Sequence, residues 1–546
     1  MMNAHRSWRR TMRAPIPKLP VGRLSAILVA IALLCAAGCA DDSSAGFDSR
    51  AMAPANNSGG STGVGQSGAQ DFGRFRTLVE QGEIPAPSTL DAVGFFNEHK
   101  FELPPADCGD DICLHGMFGV QGNMINGSNC TTVAIGFNTP HQPDDFQRPP
   151  LNMAIAIDTS GSMHGASIDS VRQGLQLMAD ELAPKDEVAL VTYSNNAQLV
   201  FRSTPENDPD RAELKTQIAN LSVGGSTNIY DGLKKAAEQV TTHAAGDRQN
   251  RVILLSDGLA TAGITHTDRI INLGASYAQN GVGLTTIGVG REFDLELMRK
   301  LSEAGAGNFY FIEDLTTVEE VFVEEISSFM VPLAEDVSVT FDGAEAYRFR
   351  AAYGTRDWMG DDHDASIYIP AMFMASRQSI DDIGPGGGRR GGGGVILLEL
   401  VPTNDPDMLA QTPAGAPVGD LTLTYRKPGT EDFVEQTISL SNPLAPGETP
   451  AEGEFENFTV EKAFVTLNIY AGFKMATDRA SHGAPNAALN VLVPLAANVE
   501  AWLAAQEEAD ADIEADLALM YQLIENIEEI GGEEEVGQPP NPWPSD

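Results

Sequence analysis

Five residues with oxygen-bearing side chains lie where apolar runs or a glycine-rich loop end. They are Asp158, Ser160, Ser162, Thr227 and Asp257. The first three alternate directly after one apolar run, Thr227 follows the glycine-rich loop, and Asp257 ends a second apolar run. Carboxylate and hydroxyl oxygens are the ligands that Mg²⁺ prefers, and the set holds no His or Cys of the kind that selects Zn²⁺. The pattern therefore predicts a Mg²⁺ site, with Mn²⁺ or Ca²⁺ as alternative ions.

Alternating strands and helices must position these residues. The segments LNMAIAI (151–157) and RVILLSD (251–257) are apolar runs, typical of strands that are buried on both faces of a parallel sheet. Such runs alternate with helical patterns over about 150–332, which predicts an α/β domain with a doubly wound, mostly parallel sheet. Open α/β sheets bind ligands beyond the carboxyl ends of their strands, so we expect Asp158 and Asp257 to share one edge.

The five residues also resemble a known site. Asp158-x-Ser160-x-Ser162, then Thr227 in a GGST loop, then Asp257 in LLSDG, is similar to the metal-ion-dependent adhesion site of von Willebrand factor type A domains. The resemblance covers the whole α/β region and implies a Rossmann-like fold. It implies that the three hydroxyl groups bind a divalent ion directly and that the carboxylates bind it directly or through water. One coordination position is then left for an acidic residue of a protein partner.

The regions on either side carry a looser resemblance to a bacterial group of extracytoplasmic von Willebrand A proteins. The matching segments are PPAD before the α/β domain and VTLNIYAGFKMATDRA after it. Members of the wider family with this site can shift their last helix on ligand binding. The corresponding helix here is expected at 316–330.

Two other functions fit parts of the same sequence. One is a metal-independent structural scaffold of the envelope, whose binding would survive EDTA. The other is a Mg²⁺-dependent hydrolase. An aspartyl phosphatase needs a second acid where Ser160 stands, and the segment GSMHG (161–165) has its serine one place too early for a nucleophile elbow. We therefore expect binding rather than enzymatic activity.

The N-terminal segment has the three parts of a secretory signal. Basic residues precede the apolar run LSAILVAIALL, and small residues lead to Cys39. This order resembles the lipobox of bacterial lipoproteins, which implies removal of the signal peptide 1–38 and acylation of Cys39. Cleavage to a free secreted protein is the alternative. Residues 39–70 are polar and of low complexity, which predicts a disordered tether. We expect a lipid-anchored membrane protein of the bacterial cell envelope that faces the periplasm or the exterior.

Charge and cysteine content limit the partners and the cross-links. The 546 residues include 35 Lys and Arg against 76 Asp and Glu, a formal charge of −41. Nucleic-acid binding through phosphate neutralisation is therefore excluded. Cys108, Cys113 and Cys130 allow one disulfide in an oxidising compartment, and the sequence does not choose the pair.

Composition and periodicity divide the rest of the chain. The predicted regions are an N-terminal flank (71–149), the von Willebrand A domain (150–332), a β-rich domain (333–456) with a flexible Gly-rich loop (384–394), a helical segment (457–530) and a disordered acidic tail (531–546). Within the helical segment we predict two helices, at about 457–477 and 494–530. A stripe of apolar residues with 4-3-4-3 spacing in the second helix is expected to pack in the core. The residues of the stripe are Ile513, Leu517, Met520, Ile524 and Ile527.

Two charged segments have no function in this scheme. Arg389 and Arg390 in the Gly-rich loop are expected to be part of a solvated linker. The acid-rich stretch 507–516 lacks the glycine and the spacing of an EF-hand loop, so a solvated helix face is expected.

Overall fold

The fold is taken from a computed structural model. It describes residues 62–70, 72–142, 148–245, 247–290, 293–312, 318, 321–322, 332–375, 377 and 389–532. The signal peptide, Cys39 and the acidic tail beyond residue 532 lie outside these ranges. So does most of the expected helix at 316–330.

Strands and helices alternate in the middle of the chain, strands dominate on both sides, and helices end it. The strands are β1 (Thr62–Gln66), β2 (Gly68–Ala69), β3 (Cys113–Gly122), β4 (Asn129–Thr139), β5 (Leu151–Asp158), β6 (Glu187–Tyr193), β7 (Ala197–Ser203), β8 (Gln249–Ser256), β9 (Gly283–Val289), β10 (Asn308–Ile312), β11 (Pro332–Gly343), β12 (Tyr347–Tyr353), β13 (Trp358–Gly360), β14 (Ala365–Met374), β15 (Ile396–Pro402), β16 (Pro417–Arg426), β17 (Phe433–Ser441) and β18 (Glu454–Phe455). The helices are α1 (Gly73–Glu80), α2 (Ala92–Asn97), α3 (Ala166–Glu181), α4 (Ala212–Ala219), α5 (Ile229–Thr242), α6 (Thr267–Ala278), α7 (Leu295–Ala304), α8 (Pro406–Gln411), α9 (Phe458–Ser481), α10 (Pro485–Ala505) and α11 (Ala511–Glu529).

The middle of the chain forms a seven-stranded sheet in the order β2-β10-β9-β8-β5-β6-β7. All neighbours are parallel except β7, which runs antiparallel to β6 at one edge. Helices cover both faces of this sheet, with α3 and α4 on one face and α5, α6 and α7 on the other. The predicted fold class, a doubly wound and mostly parallel sheet, is confirmed.

The central strand β5 shows why this segment folds as a strand buried on both faces. Met153, Ile155 and Ile157 pack into the apolar cluster that includes α3, while Ala154 and Ala156 pack into the cluster that includes α5. The alternation follows the two-residue period of a strand. The small alanine side chains allow α5 to lie close to the sheet, beside the strand end that carries Asp158.

The α/β domain is inserted into a second, eleven-stranded sheet. Strands β1, β3 and β4 precede the domain in the chain, and they share this sheet with β11 to β18, which follow it. Hydrogen bonds of the Gln436 side chain with the backbone of Ile112 and Leu114 also join β17 to the start of β3. The predicted N-terminal flank (71–149) and the predicted β-rich domain (333–456) therefore contribute strands to one sheet, although the sequence analysis assigned them to separate regions.

The predicted tether is wrong over its last nine residues. In the structure β1 lies between β14 and β4, and β2 adds a parallel strand to β10 of the other sheet. Residues 62–70 are buried although they are polar and glycine-rich. Their stability comes from backbone pairing with strands far along the chain, and composition does not reveal such pairing. A tether prediction for 39–61 lies outside the described residues.

The C-terminal segment holds three helices rather than the two predicted. The helix expected over 494–530 is broken, because α10 ends at Ala505 and Asp510 caps a new helix by accepting a hydrogen bond from the backbone nitrogen of Ile513 at 3.1 Å. The apolar stripe packs in the core as expected, with Met520 and Ile527 fully buried.

Helix α10 is also long and apolar enough to cross a membrane, and within the described ranges no other helix meets that criterion. Its residues Leu489, Leu492 and Leu495 are fully buried in the apolar core that α9 and α11 share. Packing in this core accounts for the buried part of its apolar surface.

The prediction of a solvated linker at Arg389 and Arg390 is wrong. The predicted solvated face of 507–516 holds only in part, because its glutamates are exposed whereas its aspartates Asp512 and Asp516 are buried. Arg389 and Arg390 are buried, and Arg389 donates to Asp516 of α11 at 2.7 Å. Asp512, also fully buried, accepts hydrogen bonds from Arg377 at 2.8 Å and from the ammonium group of Lys462 at 3.0 Å. These partners lie 50 to 135 residues apart in the chain, so a local charge pattern does not show them.

The described part of the Gly-rich loop, 389–394, is packed rather than flexible. A Cβ on Gly392 would lie 2.4 Å from the carbonyl oxygen of His99, so only glycine permits this close approach. The histidine contributes to the same buried charge cluster. Its Nε2 lies 2.7 Å from Asp516, and its Nδ1 lies 2.8 Å from the carbonyl oxygen of Phe95. Both ring nitrogens therefore face oxygen atoms of the fold.

The structure selects one cysteine pair. Cys108 and Cys113 form a disulfide that closes a short loop before β3. Cys130 on β4 is a buried free thiol.

Candidate metal centre

Three loops meet at the carboxyl edge of the parallel sheet. Asp158 is the last residue of β5, and Asp257 follows β8, the neighbouring strand. Thr227 precedes α5, whose first turn is capped by the side chain of Asn228. The structure thus places the predicted carboxylates at one edge, as the strand pattern required.

The carboxylate of Asp158 is fully buried and held on both oxygens. Its Oδ1 accepts from the backbone nitrogen of Ser160 at 2.8 Å, and its Oδ2 accepts from the hydroxyl of Ser256 at 2.8 Å. Ser256 is a residue that the sequence analysis missed, although it stands directly before Asp257 in the LLSDG segment. Its hydroxyl holds the carboxylate of Asp158 in one orientation.

A chain of hydrogen bonds connects four of the five predicted residues. The hydroxyls of Ser160 and Ser162 lie 2.9 Å apart, and the Ser162 hydroxyl donates to Oδ1 of Asp257 at 2.7 Å. Asp158 joins this chain through the backbone nitrogen of Ser160. Ser162 is exposed, whereas the other three are buried. The cluster is therefore accessible to solvent at Ser162, whose hydroxyl carries no charge.

Thr227 completes the set from the third loop. Its hydroxyl lies 3.8 Å, and that of Ser162 lies 3.5 Å, from the point that a Cβ on Gly258 would occupy. The side chain is buried, and the described part of the chain offers its hydroxyl no hydrogen-bond partner. Thr261, which the sequence analysis also missed, holds the backbone on both sides: its hydroxyl accepts from the nitrogen of Thr227 at 2.9 Å, and its own nitrogen donates to the carbonyl of Thr227 at 2.9 Å.

Backbone hydrogen bonds lock the glycine-rich loop against the end of β5. Gly224 donates to the carbonyl of Thr159 at 2.7 Å, and Gly161 donates to the carbonyl of Gly225 at 3.1 Å. Gly225 has a φ of 93°, a conformation that favours glycine. Backbone hydrogen bonds therefore join the two loops that carry Ser160, Ser162 and Thr227.

The pKa of both carboxyl groups is raised above its ordinary value, in both cases mainly by burial. Burial raises the pKa of Asp158, and burial together with the nearby charge of Asp158 raises the pKa of Asp257 to about 6. Hydrogen bonds from serine hydroxyls oppose these shifts only in part. In the described part of the chain, neither carboxylate has an ion-pair partner. A cation would remove the repulsion between them.

The donors fit a small hard cation. Two carboxylates without cationic partners, two linked serine hydroxyls and one unpartnered threonine hydroxyl converge, and all are oxygen ligands. No group of three or more His, Cys, Asp or Glu side chains among the described residues is arranged to hold a metal ion, so an ion at this edge would depend on hydroxyl ligands as well as on the two carboxylates. The chemistry that a divalent ion would supply at this edge is an electrophilic centre for an incoming oxygen ligand.

The carboxylate and hydroxyl cluster lies beyond the carboxyl ends of parallel strands, which is where open α/β sheets commonly bind ligands. Residues 152–324 match the family model of the von Willebrand factor type A domain. The chain therefore contains a von Willebrand factor type A domain, as the pattern of its five site residues predicted.

Relatives share this part of the chain. YfbK of Escherichia coli K12 is 30% identical over 196 residues, which cover 36% of this chain and 34% of YfbK. Inter-alpha-trypsin inhibitor heavy chain H2 of Sus scrofa is 26% identical over 216 residues, covering 37% of this chain and 22% of that protein. The matched region thus spans about a third or less of these relatives' own length.

A solved von Willebrand factor type A structure from Catenulispora acidiphila is similar over more of the chain. It aligns with 76% of this chain and 96% of its own, at 14% sequence identity and a TM-score of 0.45.

Proposed function

We propose that this protein binds a protein partner through a Mg²⁺ ion held by Asp158, Ser160, Ser162, Thr227 and Asp257. The observation that carries the proposal is the hydrogen-bonded cluster at the sheet edge, which faces solvent through the neutral hydroxyl of Ser162. The partner offers an acidic residue to the ion.

The argument rests on how the charge of the ion is compensated. Where neutral hydroxyls supply the direct ligands, the positive charge is only partly neutralised, and the ion attracts a further carboxylate. A charge-assisted contact in a partly desolvated interface contributes about 2–3 kcal/mol, enough to make binding depend on the metal. The two aspartates set the affinity for the ion, and the vacant position sets the choice of partner.

The surface beside the cluster suits a protein rather than a small ion. Leu259, two residues after Asp257, leaves 57% of its surface exposed, and His164 is also exposed near Ser162. An apolar side chain next to the metal position would contact the partner residue adjacent to its acid. We propose a binding role and no enzymatic activity.

The place of action is proposed from the leader. A signal peptide over 1–38 and acylation of Cys39 would anchor the protein in the bacterial cell envelope, facing the periplasm or the exterior. Labelling with a radioactive or alkyne-modified fatty acid tests this directly. Label should enter the wild type and be lost in Cys39→Ser, whereas label in both proteins would contradict acylation at Cys39.

Metal binding is tested first, by thermal unfolding of the mature protein in EDTA and in Mg²⁺, Mn²⁺ or Ca²⁺. A ligand that binds the native state raises the melting temperature by mass action. We expect a rise for the wild type that is lost in Asp158→Asn and Thr227→Ala. The matched control is Thr216→Ala, an exposed threonine of α4 whose hydroxyl bonds within its own helix. An equal response of all variants would exclude the site.

Partner binding is tested next, by capture from a cell-envelope extract in Mg²⁺, in EDTA and with Asp158→Asn. We expect one captured protein that is released by EDTA and that loses binding when its own acidic contact residue is replaced. Capture that persists in EDTA and with the variant would instead indicate the metal-independent scaffold.

A further inference from the structure

A second site of a different kind lies at the opposite end of the parallel sheet. A cleft of about 1220 Å³ separates the amino ends of the strands from the antiparallel sheet. One wall holds Arg251 at the start of β8, and the facing wall holds Glu335, Tyr368 and Arg426. A ligand bound there would be remote from Asp257, which follows the other end of β8.

Arg251 is buried in this cleft almost without partners. It is 1% exposed, and its Nη1 makes one hydrogen bond, to the hydroxyl of Thr285 at 3.2 Å. Its guanidinium carbon lies 5.3 Å from the centre of the Phe373 ring. The Nε is buried without a hydrogen-bond partner, and no carboxylate of the described residues lies within ion-pair distance.

A buried guanidinium with most of its donors unused points to a missing anion. Arginine presents a planar fork of N–H donors that matches a carboxylate, and buried charges are normally paired. Burial lowers the pKa of Arg251 to about 10, so the group still carries its charge at neutral pH. Glu335 is the acid whose charge acts on Arg251, and it is itself paired with Arg426 at 2.8 Å.

The exposed part of the cleft carries acids without ionic partners, whereas the basic residues of the lining other than Arg251 are each paired with a carboxylate. Asp247, Asp357 and Glu431 line it, all three are exposed, and none forms an ion pair with another described residue. These acids repel a highly charged anion such as phosphate. They attract a ligand that carries a positive group outside its carboxylate.

We propose that this cleft binds a zwitterionic ligand of the amino-acid type, with its carboxylate on Arg251 and its cationic group toward Asp247, Asp357 and Glu431. A free amino acid and the C-terminal residue of a peptide share this chemistry. The site is independent of the metal and of the function proposed above.

Calorimetric titration of the mature protein in EDTA tests the proposal. The probes are L-lysine, the peptide Gly-Gly-Lys and the same peptide with its C-terminus amidated. We expect the carboxylate form to bind at least about tenfold more tightly than the amide, because the amide lacks the charge-assisted contact. Binding of L-lysine alone would assign the free amino acid, and binding of the peptide would assign a peptide terminus.

Variants separate ligand binding from a structural role. Arg251→Met keeps the volume of the side chain and should abolish the preference for the carboxylate. Arg248→Met is the control, since Arg248 lines the same cleft but is already paired with Glu187 at 2.9 Å. Thermal unfolding confirms that each variant is folded. No binding of any probe at millimolar concentration, or equal binding by wild type and a folded Arg251→Met protein, would overturn the proposal.

Discussion

Competition between protons and metal at Asp257 offers the sharpest test of the candidate metal centre. Without a cation, burial and the neighbouring Asp158 raise the pKa of Asp257 to about 6. A metal ion needs the ionised carboxylate, so protons compete with it as the pH falls. For a single group with this pKa, the apparent affinity is reduced by roughly tenfold at pH 5 and by little at pH 7.5. Because the pKa of Asp158 is also raised, its protonation makes the Mg²⁺ affinity fall more steeply as the pH falls.

The same shift changes the stability of the metal-free protein. The pKa of Asp257 is higher in the folded state than its ordinary value of 3.8, so ionisation of this group opposes folding. The destabilisation is absent below pH 3.8, grows as the pH rises through 6 and is complete above it. Asp257→Asn removes the charge, and the amide oxygen can still accept from Ser162. In EDTA at pH 7.5 the variant should therefore melt at a higher temperature than the wild type.

Two measurements together test the competition between protons and Mg²⁺ and the destabilising effect of ionised Asp257. Calorimetric titration of Mg²⁺ at pH 5, 6 and 7.5 gives the affinity, and thermal unfolding with and without Mg²⁺ gives the stability of both proteins. Asp268→Asn, at an exposed position of α6, is the control for loss of one carboxylate. A Mg²⁺ affinity that does not change between pH 5 and 7.5, or an Asp257→Asn protein less stable than the wild type in EDTA, would refute the reasoning.

Three further predictions concern the core, the disulfide and partner association. Asp512→Asn should lower the free energy of unfolding by about 3–5 kcal/mol in urea denaturation, because it leaves Arg377 buried without its anion and removes one of the two carboxylates beside Lys462. A loss below about 1 kcal/mol would contradict the pairing. Replacing Cys108 and Cys113 by serine should cost about 2 kcal/mol by the same assay, the value for a loop of about six residues, and an unchanged transition would show that the loop is not cross-linked. With a formal charge of −41, association with an acidic partner should become faster as salt screens the repulsion, and a rate in stopped-flow or surface binding that falls with ionic strength would oppose this.

The sequence predicted the α/β domain and the position of Asp158 and Asp257 at one sheet edge because both depend on local signals. Apolar runs such as 151–157 mark strands that are buried on both faces, and the topology of such sheets brings strand ends to one edge. Asp158 and Asp257 therefore had to lie close together. The supporting residues Ser256 and Thr261 were missed because their role depends on which backbone atoms they reach, and a pattern of residue types does not contain that information.

The rest of the fold was harder to predict because it depends on contacts between distant segments. The strand at 62–66 contains little apolar surface and is specified by the strands on either side of it. Arg389 and Asp512 each look like surface residues in their own segments. Both are buried beside oppositely charged partners from distant segments, Arg389 beside Asp516 and Asp512 beside Arg377. Long-range charge pairing of this kind is invisible to periodicity and composition.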